Sequence, residues 1–170
     1  MQDRPQTGHD GPYDAPVVVG PQRVLPEWID YNGHMNVAYY TLAVDTAFDD
    51  FLEHTLGVGA QFVERTRMGP YALQANYTYL GEMLEGDQFT CRIRLLDHDQ
   101  KRLHLLAAIV NAKGETSAIV ETLLINVDLD ARKSTPYPDW AVARFAAMKA
   151  QHAKLPEIAG QGAVIGIRRR

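Results

Sequence analysis

Trp28-Ile29-Asp30-Tyr31-Asn32-Gly33-His34-Met35-Asn36, continued by Val37 to Thr55, sets a tight loop ahead of a long helical pattern. Asn32-Gly33 is a turn dipeptide, because glycine accepts positive φ without steric penalty and asparagine tolerates it. Asn36 stands where a helix N-cap is wanted, its side-chain oxygen placed to accept from the next amides. Behind it Tyr40, Val44, Phe48 and Phe51 fall on one face, with Leu52 and Thr55 beside them. Asp45, Asp49 and Glu53 run down the other side. A carboxylate, an amide and an imidazole (Asp30, Asn32, His34) thus crowd a helix N-terminus. The first amides there lack internal partners, and the dipole favours negative charge developing on a carbonyl oxygen.

Asp30 is the leading candidate in this loop, as a general base toward water or a nucleophile on an acyl carbon. The amides of Val37 and Ala38 are placed to hold the resulting oxyanion. Each residue also has a plain structural reading. Asp30 can be an Asx-turn residue, Asn32 a turn former, His34 a hydrogen-bonded structural histidine and Asn36 only a cap. The aromatic supply of Trp28, Tyr31, Tyr39, Tyr40, Tyr71, Tyr77 and Tyr79 can either pack the core or box a quaternary ammonium group.

Outward from the loop, the chain reads as one domain. Its 170 residues carry 46% apolar and 22% charged side chains and a net charge of −4, with no basic excess for nucleic acid. A single cysteine, Cys91, excludes an internal disulfide and fits a reducing compartment. No apolar run reaches membrane-span length, and the polar N-terminus lacks a secretion signal, so a cytoplasmic protein is expected. Residues 1–15, rich in Gly, Pro, Asp and Gln, read as a disordered lead-in. Residues 16–155 read as the domain and 156–170 as an extended tail.

Short β-type segments at Val17–Val19 and Arg23–Leu25 precede the loop. The helix should stop near Gly57 or Gly59, and Gln61 to Pro70 reads as a polar connection. From Tyr71 the period becomes two, with Tyr71, Leu73, Ala75, Tyr77 and Tyr79 expected on one face. Strands around Phe89–Leu95, Leu103–Val110 and Ala118–Val127 make an antiparallel meander. A last helix is expected from Pro138 or Asp139, with Ala141, Phe145 and Met148 as its apolar stripe. One long helix against an antiparallel sheet is an α+β arrangement. His34, His98 and His104 match no metal-ligand spacing, and neither a Gly-rich phosphate loop nor a Gly-x-Ser-x-Gly elbow occurs.

The string Asp-Tyr-Asn-Gly-His-Met-Asn at 30–36 resembles the Asp-x-x-Gly-His-x-Asn loop of hot-dog thioesterases of the 4-hydroxybenzoyl-CoA thioesterase superfamily. Within it, Trp28–Asn36, Lys101-Arg102-Leu103-His104 and the tail from His152 are similar to the betainyl-CoA thioesterases of carnitine breakdown. The resemblance implies a hot-dog fold, an antiparallel sheet wrapped around the helix, and a homodimer or homotetramer with interfacial sites. It implies acyl-CoA hydrolysis with Asp30, Asn32, His34 and the Val37 amide in the chemistry. Trp28, Tyr31, Asn36, Tyr40 and Gln74 would then meet substrate. No cofactor or metal is implied, coenzyme A being part of the substrate. Gln74 departs from the pattern, standing where relatives carry a Glu, and cannot take a proton from water. The alternatives are a hot-dog enoyl-CoA hydratase or dehydratase, and a non-catalytic acyl-CoA-binding protein.

Overall fold

The computed structural model describes residues 6–167. Strands β1 (Val17–Arg23), β2 (Met68–Tyr79), β3 (Gln88–His98), β4 (Arg102–Asn111), β5 (Thr116–Asp128) and β6 (Lys133–Ser134) form one sheet. Its order is β1-β3-β4-β5-β2, with β6 paired to the end of β5 and all pairs antiparallel. The meander is β3-β4-β5 as expected. The two early β-type segments are one strand with an irregularity between Val19 and Gln22.

Helix α1 (Val37–Asp50) runs without interruption into a wider π-helical turn, Phe51–Leu56, and stops at Gly57, whose φ of 72° only glycine adopts freely. Its stripe buries as the spacing demands: Tyr40, Val44, Phe48, Phe51 and Leu52 all face inward. Ala43 and Ala47 keep the helix close to the sheet, with Cys91 Sγ on β3 lying 4.0 Å from the Ala43 carbonyl oxygen. Opposite it Leu103, Leu105, Ala107 and Ile109 of β4 and Ala118, Val120 and Leu124 of β5 complete one continuous core. Burying such side chains is the main stabilisation, about 1.5–3 kcal/mol for each large apolar group. Helix α3 (Asp139–His152) closes the end of the core with Ala141, Phe145 and Met148, as its stripe predicts.

Four expectations change. Gln61 to Pro70 is not a connection: α2 (Ala60–Thr66) occupies its first part and buries Phe62 against Tyr137 and Trp140, and β2 starts at Met68. A helix of seven residues offers too short a pattern to register by periodicity. In β2, a bulge at Leu73 breaks the single face. Ala72 pairs with Leu124 and Gln74 with Leu123, so Leu73 is the extra residue. Ala72, Ala75 and Tyr77 turn toward α1, while Tyr71, Gln74 and Asn76 lie on the other side of the sheet.

Residues 6–15, expected to be disordered, instead lie against α3. Arg144 Nε donates to Asp10 at 2.9 Å, its Nη1 donates to the carbonyls of Thr7 and Leu56, and Tyr13 is buried. Low apolar content concealed this, because the anchoring is polar; residues 1–5 lie outside the described residues. The tail, finally, crosses the sheet face opposite α1. Arg94 donates to the Pro156 carbonyl, Asn76 Nδ2 donates to the Ala163 carbonyl at 2.7 Å, and the Gly162 amide donates to Glu121.

Candidate active site

The loop before α1 is fastened at several points. The Asp30 amide donates to the His34 carbonyl and the Gly33 amide to the Asp30 carbonyl, both at 3.0 Å, with Gly33 at φ 82°. The Asn36 amide donates to the Trp28 carbonyl and the Met35 amide to the Met83 carbonyl, each at 2.8 Å. Buried Met35 pins the loop to the core. The turn reading of Asn32-Gly33 and the cap reading of Asn36 both hold, since Asn36 Oδ1 accepts from the Ala38 amide at 2.9 Å.

That cap divides the oxyanion candidates. The Ala38 amide is already engaged, whereas the Val37 amide has no partner among the described residues and stands at the positive end of the helix. Asp30 carries its Asx-turn role as well: Oδ1 accepts from the Asn32 amide at 2.7 Å. Its Oδ2 lies 3.8 Å from His34 Nε2, and the Asp30 side chain is only 14% exposed. One oxygen is therefore held in place while the other stays available, the arrangement a positioned base or nucleophile needs.

A cavity of about 290 Å³ opens at this helix start, lined by His34, Met35, Val37, Tyr40, Tyr79, Gly81 and Glu82. His34 and Val37 share this wall, and Asp30, 3.8 Å from His34, is not among its lining residues. Tyr40 packs edge-on against Tyr79 with centroids 5.1 Å apart. Burial raises the Tyr40 phenol above its ordinary range, with Tyr79 and Glu82 adding to the effect, so it stays a neutral donor. Trp28 stacks on Tyr39 at 5.3 Å, and Asn32 remains at the loop turn. Tyr31, 96% exposed, projects from the loop tip and lines no part of the cavity.

Gln74 does not join this group. It lines a separate groove with Asn76, His104, Glu121 and the tail residues Gly162–Val164, on the sheet face opposite α1. His104 Nε2 and Glu121 Oε2 pair there at 2.9 Å. The bulge at Leu73 is the reason, since it sets which side of β2 position 74 occupies. Sequence reasoning missed Glu82, whose carboxylate lies 3.9 Å from His34 Nδ1. Its only signal was its position three residues after Tyr79, the last β2 tyrosine.

A loop of this build beneath an antiparallel sheet defines a class. Residues 24–145 match the thioesterase-like superfamily, and the chain belongs to that family. Its fold is the α+β hot-dog fold: a Staphylococcus aureus protein solved in complex with CoA superposes with a TM-score of 0.83 at 24% identity, covering 93% of this chain and 100% of that one. The betainyl-CoA thioesterase of Pseudomonas aeruginosa is 37% identical over 145 residues, covering 85% of this chain and 91% of that protein. An Agrobacterium fabrum L-carnitine dehydrogenase/betainyl-CoA thioesterase is 33% identical over 150 residues, which span 88% of this chain and 31% of that longer protein.

Proposed function

We propose that this chain is an acyl-CoA thioesterase that hydrolyses betainyl-CoA to betaine and CoA, as a step of carnitine breakdown in the cytoplasm. The observation that carries the reading is the pairing of a half-restrained carboxylate, Asp30, with the unpartnered Val37 amide at a helix start. With the thioester oxygen at that amide, Asp30 removes a proton from water as the water attacks the carbonyl carbon. The carbon–sulfur bond of the tetrahedral oxyanion then breaks, CoA leaves as thiolate, and the proton returns to it. Direct attack by Asp30 gives the same products through a mixed anhydride that water opens. His34 orients the carboxylate, Asn32 fixes it through the loop, and Tyr40 contributes a neutral hydroxyl. Relatives named for betainyl-CoA support the substrate.

A homodimer, or a tetramer built from it, completes the proposal. Strand β2 is twelve residues long, pairs on one side only among the described residues, and exposes Tyr71, Leu73 and Leu80 nearby. An open edge of this length is a template for a second chain. The test is thiol release from betainyl-, acetyl-, benzoyl- and medium-chain acyl-CoA, with molar mass by light scattering. Selective release from betainyl-CoA supports the reading, and absence of release from every ester overturns it. Cys91, whose thiol burial pushes up to about 12, will not add to the thiol signal.

A further inference from the structure

In a betainyl thioester the ammonium nitrogen is two bonds from the carbonyl carbon, about 2.5 Å away. With the carbonyl oxygen hydrogen-bonded to the Val37 amide, that nitrogen lies no more than about 7 Å from the amide nitrogen. The cation therefore falls within the cavity of about 290 Å³ that Val37 itself lines. Among the described residues lining it, Glu82 is the one carboxylate, and Tyr40 and Tyr79 are the aromatic walls. Resting on the function proposed above, we infer that Glu82 is the counter-charge for the ammonium end of the acyl group, seated against Tyr40 and Tyr79. Glu82 thereby sets the preference for a cationic over a neutral acyl group.

The backbone holds this carboxylate beside the helix start. The Leu80 and Gly81 amides both donate to the Ser117 carbonyl, at 2.9 and 3.0 Å, and the Met83 carbonyl accepts from the Met35 amide at 2.8 Å. Glu82 is thus fastened on both sides, and on one of them to a residue two positions before Val37. Its ion-pair neighbour among the described residues is His34, with Nδ1 at 3.9 Å, and no lysine or arginine pairs with it there. The charge is left open to a cation from outside.

The aromatic part is equally specific. Tyr40 and Tyr79 meet at an interplanar angle of 80°, with centroids 5.1 Å apart, so the two rings form a corner. Ring faces attract alkylammonium groups, and a neighbouring carboxylate adds to that attraction. The Glu82 charge already reaches this corner: burial first, then Tyr79 and Glu82, raise the Tyr40 phenol and keep that ring neutral. A neutral acyl group would have to be seated beside an unpaired carboxylate, which disfavours it.

The test compares kcat/KM for betainyl-CoA with that for 3,3-dimethylbutanoyl-CoA, a neutral ester of the same shape, in the native enzyme and in Glu82→Gln. The side chain is 67% exposed, so the substitution leaves the core untouched. The preference for the cationic ester should fall at least about fivefold, the worth of a unit charge 4 Å away even in bulk water. An unchanged preference overturns the inference and leaves the thioesterase reading intact, as does an equal loss on both esters, which would mean that Glu82 acts through His34. Where the native chain fails to turn over one or both esters, calorimetric titration with tetramethylammonium decides. Binding that is lost in Glu82→Gln supports the site even if the function reading has failed, whereas no binding, or equal binding by both proteins, overturns it.

Discussion

Asp30 and His34 face one another across a four-residue turn, Oδ2 to Nε2 at 3.8 Å, while the second Asp30 oxygen is committed to the Asn32 amide at 2.7 Å. The separation is too long for a hydrogen bond and short enough for electrostatic contact. One residue thus shapes the loop and keeps a free oxygen for chemistry.

Asp30→Asn keeps the oxygen that accepts from the Asn32 amide and removes the base. Turnover should fall by about 10²–10⁴-fold, the usual worth of positioned proton transfer, with an unchanged melting temperature. Steady-state kinetics beside thermal melts check this; full activity in the variant would return Asp30 to a purely structural part.

Asn36→Ala removes the acceptor for the Ala38 amide, at a cost of about 1 kcal/mol in stability. The start of α1 then frays beside the Val37 amide, so kcat should fall along with the denaturation midpoint. Asn36→Ser, which can still cap, should recover both. Loss of activity without loss of stability, unrescued by serine, would argue that Asn36 contacts substrate.

Gln74→Glu should leave the pH–rate profile for acyl-CoA hydrolysis in place and change kcat by less than about twofold, a surface-scale effect. Gln74 sits on the sheet face opposite α1, in the groove crossed by residues Gly162–Val164. A new ionisation in the profile would mean that this position does reach the reacting centre.

Buried His152 accepts from the Leu95 amide at Nδ1 (2.9 Å) and has Nε2 2.8 Å from the Asp14 carbonyl, which fits a neutral ring with the proton on Nε2. Burial lowers its proton affinity below the ordinary 6.5, and protonating Nδ1 would break the bond to Leu95. Below about 6.5 the unfolded chain then binds more protons than the folded one. Stability from this residue is fully present above that pH and is lost as pH falls from there toward the folded value. Urea melts from pH 8 to pH 5 should show the decline, and His152→Gln, which can replace both hydrogen bonds without titrating, should flatten it. An equal slope in the variant would assign the decline to other groups.

Local rules made much of this molecule readable. The Asn32-Gly33 turn, the Asn36 cap, the α1 stripe, the stop at Gly57 and the β3-β4-β5 meander each depend on near neighbours in the chain. The parts that escaped depend on distant ones. Asp10 and Thr7 are ordered by Arg144, more than 130 positions away, and the tail by Asn76 and Glu121. Within the site, the loop and the Val37 amide were legible. Glu82 was not, because only the fold brings the end of β2 to His34.

Leu73 has a consequence for comparing this chain with its relatives. Because it is the one supernumerary residue in β2, a chain lacking it keeps Ala72, Ala75 and Tyr77 toward the helix and Gln74 and Asn76 away from it. A length difference of one residue in this strand therefore belongs at position 73 in any alignment. Placed a few positions later, the gap would equate the inward side chains of one protein with the outward side chains of another.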